Sequence, residues 1–144
     1  MFKTILVPTD GSPLSRHAED AAIEFARAAG ATLVALAVVE PLPSAGDTAS
    51  IFVAGGTPDA RELLAQARQR AQAVVDRSRA AGVPCECCTA LSYYPHEEIV
   101  RVATEFHCDA IFMASHGVRG LRKLLGSQTQ KVLAHAGLPV MVFR

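Results

Sequence analysis

The chain has 144 residues, half of them hydrophobic and 19% charged, which is the size and make-up of one ordinary globular domain and excludes an obligately disordered chain. A chain of this length buries about 68% of the surface it exposes when unfolded, so its core needs no disulfide or metal staple. Fourteen basic residues balance fourteen acidic ones, which excludes a general electrostatic pull towards nucleic acid or an anionic membrane.

In chain order, Met1-Phe2-Lys3 leads into four apolar residues, Ile5 to Pro8, too few for a signal h-region, so a cytoplasmic address is expected. Lys3–Val7 reads as a buried strand, closed by Pro8-Thr9-Asp10-Gly11-Ser12-Pro13. Ser12 is placed to cap a helix with Pro13 in its first turn. Ala18, Ala22, Phe25, Ala26 and Ala29 then recur at helical spacing until Gly30. Thr32–Val39 is a second strand. Its run from Leu33 to Val39 is seven residues against the roughly 20 that cross a bilayer, so no membrane span is expected.

A Pro-, Gly- and Ser-rich stretch without period, residues 41–57, reads as a flexible loop. Asp59 starts a long helix with Leu63, Leu64, Ala67, Ala71, Val74, Val75 and Ser78 in one stripe and Gly82 at its end. Its arginines, Arg61, Arg68, Arg70, Arg77 and Arg79, are interleaved with Glu62 and Asp76 and no aromatics, the pattern of a solvated face and not of a nucleic-acid surface. Pro84–Leu91 is a third strand, Pro95–His107 a helix and Ala110–Ser115 a fourth strand. Ser127 is placed to cap a last helix, Gln128–Ala136, and Leu138–Phe143 is the final strand. Five strands alternating with four helices predict one α/β domain over residues 1–144, a parallel open sheet of Rossmann-like type with helices on both faces.

In such a sheet ligands bind beyond the carboxyl ends of the strands, where the strand order reverses. The loops after strands one, two and four carry Pro8-Thr9-Asp10, Val38-Val39-Glu40 and Ser115-His116-Gly117-Val118-Arg119-Gly120. Gly117 and Gly120 permit close backbone approach, and Gly126-Ser127 sets free N–H groups at a helix start, the hardware of a phosphate site. All fourteen acids lie at or before Asp109, whereas the last 35 residues hold Arg119, Arg122, Lys123, Lys131 and Arg144, so this quarter of the chain suits an anion. No Gly-Lys-Ser/Thr closes a P-loop, and the glycines follow the fourth strand, not the first, unlike the dinucleotide fingerprint. Asp10 has three open readings: acceptor for a ribose hydroxyl, help in holding a metal near phosphates, or cap of the turn through Thr9 to Ser12. Ser115 and His116 are adjacent and lack the Gly-x-Ser-x-Gly elbow of a serine hydrolase. The remaining histidines, His17, His96, His107 and His135, show no metal spacing. Four cysteines, Cys85, Cys87, Cys88 and Cys108, form no zinc pattern and read as small buried hydrophobes, Cys85 and Cys87 on one face of a strand and Cys88 on the other.

Ile5-Leu6-Val7-Pro8-Thr9-Asp10-Gly11-Ser12, Pro95-His96-Glu97-Glu98-Ile99-Val100, Met113-Ala114-Ser115-His116-Gly117 with Gly126-Ser127, and Leu138-Pro139-Val140-Met141-Val142-Phe143 together resemble the universal stress protein family, in register over the whole chain. The resemblance implies a homodimer that pairs its last strands, here Leu138, Pro139, Val140, Met141, Val142 and Phe143, and an adenine-nucleotide-hydrolase-like fold. Nucleotide-binding members carry Gly-x2-Gly-x9-Gly followed by Ser or Thr. On this chain the first Gly is Ala114, the second Gly117, and eight residues separate it from Gly126-Ser127. By resemblance the site for ATP, with Mg2+, comprises Pro8, Thr9 and Asp10 at adenine and ribose and Val38 at adenine. Met113, Ala114 and His116 join them, with Gly117, Arg119, Gly120, Gly126, Ser127, Gln128 and Thr129 towards the phosphates. The expected role is a stress response exerted by nucleotide-dependent binding, with no catalytic residue assigned. A dimeric interaction module without nucleotide, serving a protein partner, and a slow ATPase are the alternatives.

Overall fold

The structure is a computed structural model and describes residues 1–41, 59–116 and 125–144. Nine elements alternate as expected: β1 (Thr4–Thr9), α1 (Pro13–Ala29), β2 (Thr32–Val39), α2 (Ala60–Ala80), β3 (Cys85–Leu91), α3 (Pro95–Glu105), β4 (Ala110–Ala114), α4 (Ser127–His135) and β5 (Val140–Phe143). All strand pairs are parallel, in the order β3-β2-β1-β4-β5. The order reverses between β1 and β4, which makes their carboxyl ends the switch point.

Period-two alternation divides each strand between two cores. Ile5, Val7, Leu33, Ala35, Ala37 and Phe112 pack with Ala22 and Ala26 of α1 and Ala71, Val74 and Val75 of α2. Leu6, Val34, Leu36, Ile111 and Met113 pack with Ile99, Val102 and Ala103 of α3 and Val132 of α4. Each fully buried large aliphatic side chain stabilises the fold by about 1.5–3 kcal/mol. Cys85 and Cys87 face the first core and Cys88 and Cys108 the second, all as free thiols.

Local signals explain the boundaries. Ser12 Oγ accepts from Ser15 N at 3.1 Å to cap α1, and Gly30 closes it at φ 69°, a left-handed conformation that costs glycine little. Asp59 Oδ1 accepts from Glu62 N at 2.9 Å to cap α2. The start of β1 is clamped by Asp109, whose carboxylate accepts from Lys3 N at 2.8 Å and Thr4 N at 3.1 Å.

Several expected boundaries move. β1 continues through Pro8 and Thr9, which pair with Leu36 and Ala37 of β2. Its pairing with β4 stops at Leu6, two residues before the proline that has no N–H to donate. The two central strands therefore part where the cleft opens. α3 ends at Glu105, not His107, because His107 adopts φ 53° and Cys108 N reaches back to Ala103 O at 2.8 Å, unwinding the last turn. Ser127 is not the cap of α4: Gly126 occupies the cap position in extended backbone, its N–H held by Ser115 O at 2.7 Å, and Ser127 is the first helical residue with no side-chain capping bond. β4 ends at Ala114 and β5 begins at Val140, each shorter than expected. Of the expected loop 41–57, all but Pro41 lies outside the described residues.

Candidate functional site

A cleft of about 220 Å3 opens at the switch point, lined by Pro8 and Thr9 at the end of β1 and Asp10 just beyond it, Leu36 and Val38 of β2, Met113, Ala114 and His116 at the end of β4, Pro95 and Ile99 of α3, Gln128 and Thr129 of α4, and Ser15 of α1. It continues the second core past the strand ends: Leu36, Ile99 and Met113 belong to that core, and Val38 packs against it. The result is an apolar slot with polar groups along its rim, the make-up of a site for a flat heteroaromatic ring carrying a polar tail.

The β1 wall is held by a buried polar network. Glu19 of α1, only 4% exposed, accepts from the hydroxyls of Thr9 and, at 2.9 Å, Ser15, and its other oxygen accepts from Arg77 of α2. Arg77 also donates to Asp20, so one guanidinium answers two carboxylates. Asp10 Oδ1 accepts from Ser12 N at 2.9 Å, which is the turn-capping role.

The α4 wall is donor-rich. Gly126 sits against His116, and a Cβ there would meet His116 Cα at 3.2 Å and Ser115 O at 3.3 Å, tighter than ordinary van der Waals contact, so glycine suits this approach of α4 to the end of β4. Thr129 donates its hydroxyl to Ala114 O at 3.0 Å, fixing the first turn of α4 against the strand. Gln128 Oε1 accepts from His96 N at 3.0 Å and from His96 Nδ1 at 3.1 Å. The first N–H groups of α4 point to the same end, where the helix dipole favours an anion.

Of the residues expected at the site, Pro8, Thr9, Asp10, Val38, Met113, Ala114, His116, Gln128 and Thr129 line this one cleft. Gly126 and Ser127 lie at its edge, at the start of α4. Gly117, Arg119 and Gly120 lie outside the described residues. Leu36, Ser15, Pro95 and Ile99 also line it and were not foreseen. Leu36 had a signal, since it shares a strand face with Val38, and Pro95 and Ile99 stand one turn apart at a helix start on the same end of the sheet. Ser115 is 2% exposed and lies 3.1 Å from Nδ1 of the half-buried His116, so its hydroxyl is not an accessible nucleophile. His96 and His135, far apart in sequence, bring their rings to 5.9 Å, yet no group of three metal-ligating side chains forms among the described residues.

Comparison with known proteins converges on one family. The family model of the Universal stress protein family matches residues 1–144. A Thermus aquaticus protein, the universal stress protein in QAH/OAS sulfhydrylase 3'region, is 36% identical over 146 residues, covering all of both chains. The solved structure of MJ0577 from Methanocaldococcus jannaschii superposes with a TM-score of 0.79 at 26% identity, over 99% of this chain and 96% of that one. A universal stress protein from Archaeoglobus fulgidus, solved in complex with dAMP, shares the fold at a TM-score of 0.71 and 23% identity, over 99% and 98% of the two chains. With the sheet order, the cleft at its switch point and the whole-length match in agreement, the chain belongs to the universal stress protein family.

Proposed function

We propose that the protein binds an adenine nucleotide in the switch-point cleft, with ATP as the physiological ligand, and acts as a cytoplasmic homodimer in a stress response through binding and not turnover. The observation that carries this reading is the gathering of Pro8, Thr9, Asp10, Val38, Met113, Ala114, His116, Gln128 and Thr129, from four separate parts of the chain, around one slot. Its apolar faces, Leu36, Val38, Ile99 and Met113, suit a purine, and Asp10 stands at the rim for ribose.

At about 220 Å3 the cleft is smaller than the roughly 300–1,000 Å3 of pockets that enclose a whole drug-sized ligand. Base and sugar fill it, and the phosphates extend over the start of α4. Mg2+ would enter with the phosphates and be held mainly through their oxygens and water. The Archaeoglobus relative's dAMP supports the choice of an adenine ligand on this fold. For the dimer, β5 lies at the edge of the sheet with Met141 49% exposed, an apolar edge that a second copy would cover.

The test is mass spectrometry of the purified protein for co-purified nucleotide, followed by calorimetric titration of the stripped protein with MgATP. Saturable binding is expected. Folded protein that gives neither would leave the dimeric interaction module, with the methyl of Ala114 standing in the floor of the cleft.

A further inference from the structure

Glu19 is the most buried carboxylate among the described residues, and nothing in ligand contact explains it. A charge at 4% exposure is costly unless its oxygens are paired. Here both are: the Thr9 and Ser15 hydroxyls lie on Oε1 and Arg77 on Oε2. The consequence lies one bond further on. Because the Thr9 proton points at Glu19, the Thr9 oxygen presents its lone pairs outward, and Gly11 N donates to it at 3.2 Å. The Ser15 hydroxyl has two acceptors within reach, Glu19 Oε1 at 2.9 Å and Thr9 Oγ1 at 3.0 Å, so its one proton stays on that side and its oxygen receives Asp10 N at 3.3 Å. The carboxylate, which can only accept, thus sets the polarity of Thr9 directly and that of Ser15 directly or through Thr9, and these hydroxyls fix the backbone of Asp10 and Gly11 at the cleft rim.

We propose that Glu19, pinned by Arg77 across the α1–α2 interface, is a positioning residue for the ligand cleft: it holds the Thr9–Gly11 turn, and with it the Asp10 carboxylate, in the geometry that meets the ribose. The proposal rests on the nucleotide reading for its ligand and on the ligand-free structure for its geometry. It also assigns a role to an arginine of α2 that the sequence pattern places on a solvated face.

The test separates positioning from mere support. In Glu19→Met/Arg77→Met the ion pair is exchanged for apolar side chains of similar length, an exchange that is often neutral for stability. The melting temperature is expected to stay near that of the unaltered protein while MgATP affinity falls about tenfold, the weight of one or two misplaced hydrogen bonds. Glu19→Gln is the second variant. Arg77 is a donor only and holds the amide oxygen, which turns the NH2 towards the hydroxyls and reverses their polarity, so the same loss is expected without a change of shape. Unchanged affinity in either folded variant would overturn the proposal.

Amide exchange by NMR on ligand-free protein reads the same point without nucleotide. Exchange at Asp10 and Gly11 is expected to accelerate about tenfold in both variants, with Ala31 and Asp109, whose amides are held by remote backbone carbonyls, unaffected. Uniform acceleration, or none at Asp10 and Gly11, would mean that Glu19 only supports the fold. If the unaltered protein bound no nucleotide, the nucleotide reading would fall and this exchange measurement would still decide the role of Glu19.

Discussion

The side-chain oxygen of Gln128 receives both the backbone N–H and the ring Nδ1 of His96. The backbone group can only donate, so the Gln128 atom is the carbonyl oxygen, and the ring nitrogen that shares it carries a proton. α3 begins at Pro95, and its cap residue, Tyr94, makes no side-chain capping bond. Gln128 of α4 does this work from the neighbouring helix. With its oxygen committed to α3, its NH2 keeps its two donors, and Gln128 lines the cleft, where under the proposed function those donors would meet a phosphate or sugar oxygen.

Gln128→Glu keeps the acceptor for His96 and removes the donors, adding a negative charge beside the phosphate position. MgATP affinity is expected to fall by at least about tenfold, the scale of a lost charge-assisted bond plus repulsion. The melting temperature should hardly move. Calorimetric titration beside a thermal scan checks both, and equal affinity would remove Gln128 from the ligand.

Gly126→Ala forces a methyl group into the 3.2–3.3 Å gap against His116 and Ser115 O. These neighbours are mainly backbone and cannot swing aside, so a loss of about 1–3 kcal/mol is expected from overpacking. Urea unfolding measures it. Displacement of α4 from the end of β4 should weaken nucleotide binding in the same variant.

Met141→Asp places a charge on the exposed edge strand β5. If the last strands pair two copies, the variant elutes as a monomer in size-exclusion chromatography with light scattering while keeping its far-UV circular dichroism. A monomeric unaltered protein, or a dimer indifferent to the charge, would place the contact elsewhere.

Burial, and then the negative charges of Asp109 and Cys88, push the Cys108 thiol up to about 11 from 9.0. The native state therefore holds this proton more tightly than the unfolded chain. Its contribution to stability is complete below pH 9 and is lost as pH rises towards 11. Burial raises Cys85 and Cys88 as well. Urea midpoints are thus expected to fall between pH 9 and 11, and to fall less in Cys108→Ala.

Much of this was legible in the residues. Short apolar runs bounded by turn residues placed all five strands, and Ser12, Gly30 and Asp59 bounded their helices by the chemistry that the structure shows. Cap assignment failed at Ser127, because a hydroxyl is a good cap only where its backbone is extended, and the close contact of Gly126 with His116 sets that conformation one residue earlier. The end of α3 failed because His107 takes a left-handed backbone that local propensity does not announce. In the cleft, residues on strands and in the β1 turn could be read from topology. The pairing of Glu19 with Arg77, 58 residues apart, could not, since a helical stripe shows which face a charge occupies but not which charge on another helix it meets.

The clamp of Asp109 on Lys3 joins residues 106 positions apart, and β4, later in the chain than β2 and β3, lies on the opposite side of β1 from them. The first three strands can zip together through successive local crossovers, whereas the slot between β1 and β4 requires the closing of nearly the whole chain, an entropically expensive and slow event. The cleft thus depends on contacts between parts of the chain that are far apart in sequence. Any ligand that fits it stabilises only chains in which those distant contacts have been made.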